Sequence, residues 1–266
     1  MILMCACASL LLASSVRGLQ EELAGPPRAE VQRVVDELAV QGVHLDPARG
    51  LISIPATVEV RDDLLEYLLV GPAGASHESV FQTEVMPSVL NVAMLALGVE
   101  RGRNASWQPK DPPVSDAELA DGVSPYEVLP PEGDGFYLYA GWLEGGQVYF
   151  FQMEDLLRNL MSGRAMKRHR WVYLGSRLVP DDRGQEVFAA DIYQNVINVS
   201  FFSEGYTLLT GALPECIEQT IWMANGWLVP QRGSPVRLVF SRTPLEGVPA
   251  GVRELLPDAG PQDGER

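Results

Sequence analysis

After one helical segment the chain breaks into short apolar runs, most of them closed by glycine, proline or aspartate. That punctuation constrains the fold more than any other feature, because runs of this length with two-residue alternation read as strands and are too short for self-supporting helices. In Leu51–Val60, Ile52 and Ile54 alternate against Ser53, and Asp46-Pro47-Ala48-Arg49-Gly50 forms the turn before it. Phe136–Leu143 and Gln147–Phe151 predict a hairpin across Glu144-Gly145-Gly146. Val43–Leu45, Ser79–Val85, Trp171–Val179, Glu186–Ile192, Val196–Phe202 and Val236–Phe240 read as further strands, and Leu64–Val70 fits helix or strand equally. Helical spacing is confined to three segments. In Arg28–Val40, residues Val31, Val34, Val35, Leu38 and Ala39 share a face; Pro87 opens a second helix that Gly98 stops; Met153–Ser162 predicts a third. Strands and helices mix without βαβ alternation. The expected class is α+β, a mainly antiparallel sheet with three or four helices in a single domain, since no linker separates two cores.

The ends and one internal stretch depart from this pattern. Ile2–Ala13 is an apolar run of about a dozen residues, too short for a bilayer span of roughly 20 and matching the hydrophobic region of a secretory signal peptide. Cleavage after Gly18 is expected, although no basic residue precedes the run and Arg17 sits beside the cut. A lipoprotein signal does not fit, because most of the apolar run follows Cys7. Residues 19–42 are the N-terminal helical lead-in, 43–244 the folded domain, 101–135 a proline-rich surface insertion within it, and 245–266 a Gly-, Pro- and Asp-rich tail expected to fray.

Charge and cysteine content exclude several classes. With 35 acidic against 20 basic side chains, net −15, the chain is unsuited to nucleic acid, whose phosphates call for Lys and Arg. A hydrophobic content of 46% against 21% charged residues excludes a disordered chain. Signal removal takes Cys5 and Cys7 and leaves Cys216 alone, which cannot form an internal disulfide. Three cysteines do not suffice for an ordinary iron–sulfur cluster, and no cofactor is implied. No other segment reaches membrane-spanning length, so the mature chain is expected not to span a membrane.

Ser/His/Asp nucleophile motifs, phosphate loops and paired metal-spaced histidines are absent. His77 and Glu78 follow the glycine-rich turn at Gly74 and precede a strand, a position that holds side chains at a cleft mouth. An imidazole near a carboxylate is suited to proton transfer or metal binding. On an extended chain, however, neighbours point to opposite faces, so the two are expected not to touch. A hydrogen-bonded turn histidine is the plainer alternative. Glu66 lies in an apolar segment: if buried it needs a partner, for which His77 is a candidate, or a raised pKa; if not, it faces solvent. Arg164–Arg170 forms a positive island, suited to an anionic partner such as lipid headgroups or an acidic protein segment, or else a solvated helix end. Asn104-Ala105-Ser106 and Asn198-Val199-Ser200 match the glycosylation sequon, a signal with meaning only where a glycosylating secretory route exists.

Leu65-Glu66-Tyr67-Leu68-Leu69-Val70, the step His77-Glu78-Ser79 and the helix end Met94-Leu95-Ala96-Leu97-Gly98 resemble the YdjY-domain proteins of bacteria. Trp171 to Ser176, Ala190-Asp191 with Asn198-Val199, and Ser234-Pro235-Val236 match later parts of the same pattern in order, from about Val43 to Pro244. The departures are the 101–135 stretch and Ser234, where threonine is usual. The resemblance implies export and attaches no established reaction. Carried over position by position, it singles out Glu66, His77, Glu78, Ser79, Trp171, Ser176 and Asp191; Trp171 and Ser176 also fit core and turn roles, and Asp191 a turn cap. The expected protein is a periplasmic or secreted bacterial envelope protein. It binds an envelope protein or a small ligand through the His77 region, the alternative being an enzyme or metal-binding protein using His77 with Glu78, Glu66 or Asp191.

Overall fold

The computed structural model describes residues 28–260. The expected signal peptide, Cys5, Cys7 and the lead-in up to residue 27 lie outside the described residues. In chain order the elements are α1 (Arg28–Val40), β1 (His44–Asp46), β2 (Leu51–Val58), β3 (Tyr67–Val70), β4 (Ser79–Gln82), α2 (Pro87–Ala96), β5 (Ser106–Pro109), α3 (Asp116–Ala120), β6 (Tyr126–Leu129), β7 (Gly135–Glu144) and β8 (Gln147–Gln152). There follow β9 (Leu157–Asn159), β10 (Arg164–Ala165), β11 (Trp171–Tyr173), β12 (Leu178–Pro180), β13 (Glu186–Phe188), α4 (Ala189–Tyr193), β14 (Asn195–Asn198), β15 (Leu209–Thr210), β16 (Trp222–Ala224), β17 (Pro235–Ser241) and α5 (Ala250–Arg253). Single 3-10 turns cover Ser76–Glu78, Met153–Leu156 and Pro214–Ile217.

Eight strands close on themselves in the order β2–β17–β7–β11–β15–β14–β3–β4 and back to β2. This overturns the α+β expectation. The protein is mostly β, a closed barrel, and the five helices among the described residues are short, three of them of four or five residues. The seam between β2 and β4 rests on two registered pairs, Thr57 with Gln82 and Val58 with Phe81. So small a seam leaves no periodic signal, yet it closes the eight-strand ring, with β1 and β8 attached outside it as short flanking strands. The ring is not uniformly antiparallel either, since β3–β4 and β14–β15 run parallel. The strongest wall is β2–β17–β7, with seven registered pairs on one side of β17 and five on the other. β7 turns into β8 through Gly145 and Gly146, both at positive φ, as a two-residue hairpin with the right-handed strand twist requires.

Barrel closure packs the inward residues into one core that includes Ile52, Ile54, Leu68, Phe81, Phe136 and Trp171, each fully buried. Residues 245–260, expected to fray, pack on the outer face of the wall instead. Val252 and Leu256 join Tyr139 and Val239 in a second apolar cluster, and the Leu143 and Ala259 amides exchange hydrogen bonds of 2.8 Å with Pro257 and Leu143 carbonyls. The 101–135 stretch folds as a β5–β6 hairpin carrying α3, which Ser115 and Glu118 close with a capping box. Met153–Ser162, expected to be helical, is one 3-10 turn followed by β9, because Leu157 and Asn159 are claimed by β16.

Candidate functional site

β3 and β14 lie side by side with Tyr67 opposite Asn198, and the register between them is irregular. Beside this pair come Tyr193 from the end of α4 and the segment 202–207 leading into β15. Together they form a cleft of about 270 Å³ lined by Tyr67, Tyr193, Asn195, Asn198, Phe202, Glu204, Tyr206 and Thr207. Two aromatic pairs build its walls. Tyr67 and Phe202 stack with centroids 5.3 Å apart, and Tyr193 and Tyr206 with centroids 4.5 Å apart. The Arg177 guanidinium lies over Tyr206, 4.6 Å from the ring centroid, and Nη2 donates to the Tyr206 hydroxyl at 3.0 Å. Asn198 is only 5% exposed, and its Oδ1 has no hydrogen-bond partner among the described residues. The same holds for Oγ of Ser200 and Oγ1 of Thr210, which belong to the same strand segment and its neighbour β15. Unpartnered buried oxygens carry a desolvation cost of about 1–3 kcal/mol each, so their clustering beside a cleft is a functional signal.

The residues singled out from the sequence divide around this cleft. Glu66, His77 and Glu78 come together, but none of them lines the cleft, and His77 lines a separate hollow with Arg61, Asp62, Asp63 and Arg232. Glu66 precedes Tyr67, and its amide donates to the Glu78 carbonyl at 3.1 Å. Because Ser76–Glu78 is a 3-10 turn rather than extended chain, His77 and Glu78 do approach: Nε2 lies 3.7 Å from Glu78 Oε1, correcting the expectation that they point apart. At that distance, and with the imidazole 79% exposed, the contact is loose and holds neither side chain firmly. Burial, with the Glu78 charge behind it, holds the Glu66 carboxyl above the usual carboxylate range, opposed by His77.

Ser176 and Asp191 are framework. Ser176 sits at φ +53°, its Oγ donates to the Tyr206 carbonyl at 2.8 Å and accepts from the Ala190 amide at 3.1 Å. One buried hydroxyl thereby ties together the two segments that carry the stacked tyrosines. Ser176→Ala is expected to lower stability by about 2 kcal/mol, and its tyrosine ring signals near the cleft should broaden or move; unchanged urea midpoint and unchanged ring signals would contradict this role. Asp191 Oδ1 accepts from the Ser88 amide at 2.8 Å and so caps α2 from α4. Ser79 is fully buried, with Oγ donating to the Phe81 carbonyl at 2.9 Å.

Trp171 belongs to a second polar cluster, which the sequence did not reveal. Its Nε1 donates to Glu154 Oε1 at 2.9 Å, inside the barrel wall. His169 Nδ1 lies 3.5 Å from the same oxygen and 3.0 Å from the Lys167 carbonyl. Burial pushes Glu154 up to about 7 and His169 down to about 4, so around pH 5 to 6 the contact joins two neutral groups and is not a salt bridge. The basic island is interrupted rather than removed, since Arg164, Lys167, Arg168 and Arg170 remain exposed. Met166 and His169 turn inward, Arg168 pairs with Asp155 at 3.0 Å, and Arg170 donates to the Gly133 carbonyl at 2.9 Å.

Cys216 is buried, and burial pushes its thiol up to about 12, consistent with a packing role. Among the described residues no three His, Cys, Asp or Glu side chains gather to hold a metal ion, and no helix is long and apolar enough to cross a membrane. Sequence reading missed the cleft itself. Its local trace is the aromatic content of Tyr193 and of Phe202 to Tyr206, on both sides of a strand containing Asn198. Comparison of the chain with family models, curated proteins and solved structures finds no match.

Proposed function

We propose that this chain is an exported envelope protein, periplasmic or secreted, that acts as a non-catalytic binding module, and that the aromatic cleft beside the His77 turn is where it takes a small ligand. One observation carries the reading. Asn198, nearly inaccessible and with an unpartnered Oδ1, lines the cleft together with two stacked aromatic pairs. Apolar walls around a few unspent polar groups are the usual composition of a small-molecule site. The apolar run Ile2–Ala13 and the resemblance to YdjY-domain proteins support export. The test is a ligand-observed NMR screen of metabolite mixtures on the folded protein, followed by assignment of shifted protein signals. At least one ligand should move the Tyr193 and Tyr206 resonances, and Tyr193→Ala should abolish its capture. A screen in which no ligand touches those signals would end this reading.

A second reading, an acid–base enzyme, draws on the raised Glu66 carboxyl beside His77. It requires turnover of a captured ligand that Glu66→Gln abolishes while binding persists.

A further inference from the structure

We infer that the ligand of this cleft is an organic cation, an ammonium or guanidinium group on a small apolar body; this rests on the binding reading above. Aromatic ring faces carry negative potential and attract cations within about 6 Å of the centroid. One ring of this cleft is already used that way, since Tyr206 bears the Arg177 guanidinium on its face. The carboxylates point to the same class. Glu204 lines the cleft, and Glu66 and Glu78 flank Tyr67, which is in register with Ser79 on the neighbouring strand. Burial and then these three carboxylates hold the Tyr67 hydroxyl up at about 12, so it enters any binding reaction protonated.

The hydrogen-bonding inventory agrees. The Thr207 hydroxyl is spent on the Val196 and Leu209 carbonyls at 2.7 and 3.1 Å, and Asn195 Oδ1 on the Ala75 amide at 3.1 Å. Among the described residues Asn198 Oδ1 and the Glu204 carboxylate are left as acceptors, and the Tyr67 and Tyr193 hydroxyls beside them can accept as well as donate. N–H donors of a cation complement that set. An anionic ligand would meet Glu204 in the lining, with Glu66 and Glu78 near Tyr67, while the Arg177 guanidinium is engaged on Tyr206. The net charge of −15 adds long-range attraction of the same sign.

The experiment titrates the full chain with choline, agmatine and spermidine, and with 3,3-dimethylbutan-1-ol as the neutral counterpart of choline, reading the ring resonances of Tyr67, Tyr193 and Tyr206. At least one cation should shift them saturably. If that cation is choline, 3,3-dimethylbutan-1-ol should bind about tenfold more weakly. Glu204→Gln, a change at an exposed position, should weaken the cation several-fold without altering the fold. Binding should also weaken as salt rises. If none of the cations moves those resonances, the inference fails, and so it does if the neutral alcohol or an uncharged metabolite from the mixtures binds as tightly as the best cation. In the uncharged case the binding reading survives; if no compound of any class acts at the cleft, both fall.

Discussion

Gly135→Ala is expected to unfold the barrel or to cost it about 3 kcal/mol or more. Gly135 opens β7 and is registered with Val172 of β11. A Cβ there would stand 1.8 Å from the Trp171 carbonyl oxygen and 2.8 Å from its carbon. Both obstacles are backbone, so no rotamer change relieves the clash. Nor can β7 retreat, because it is held by β17 over five registered pairs and by β8 over six. In a closed ring, displacing one strand strains every joint around it, whereas an open sheet would splay at its edge. Gly135 also lends its carbonyl to Arg242 Nη1 at 2.9 Å, inside the Arg242–Asp134 ion pair. Set against a total stability of about 5–15 kcal/mol, the loss is decisive. Gly247→Ala is the control, since nothing lies within 4 Å of its added carbon. Urea midpoints at constant slope decide the matter, and equal midpoints for the two variants would refute the argument.

The buried Glu154–His169 pair is expected to hide two opposed titrations, which single substitutions should expose. Glu154 has a folded pKa of about 7 against 4.5 for the free group. Its contribution is therefore complete below 4.5 and is lost as pH rises through 7. His169 has a folded pKa of about 4 against 6.5, so its contribution is complete above 6.5 and is lost as pH falls through 4. Between about 4.5 and 6.5 the slopes are equal and opposite, and the pair leaves stability flat there. Glu154→Gln removes one slope and keeps an acceptor for the Trp171 indole. Its stability should climb with pH over that interval, and at pH 8 it should exceed the parent by about 3 kcal/mol, the equivalent of the lost shift. His169→Gln should show the mirror image, with stability falling as pH rises. Urea unfolding at pH 5, 6.5 and 8 measures both. Parallel pH profiles for the parent and Glu154→Gln would mean that Glu154 is not titrating in the interior.

Much of the local structure was legible. The helix over Arg28–Val40, the helix opened by Pro87 and the Gly145–Gly146 hairpin all follow from spacing and turn chemistry within a few residues. The candidate residues were legible only in part. Glu66, His77 and Glu78 do lie together, but outside the lining of the cleft. Ser176 and Asp191 matter through the backbone groups they hold, at Tyr206 and Ser88, partners that no sequence spacing predicts. Glu154 gave no signal at all, because a glutamate in a short polar-apolar segment looks solvated until a barrel wall closes over it.

From its sequence alone this chain determined several of its turns, the approximate place of the hairpin and of its two longer helices, and its acidity, all of them properties of adjacent residues. Tertiary structure decided that the sheet closes, that the C-terminal segment covers its outer wall, and that Tyr67, Tyr193, Asn198, Phe202, Glu204 and Tyr206 meet in one cleft. The physical reason is range. Turn and strand preferences act over a few residues, whereas closure rests on two pairs joining β2 to β4, and the cleft on side chains from segments more than a hundred positions apart.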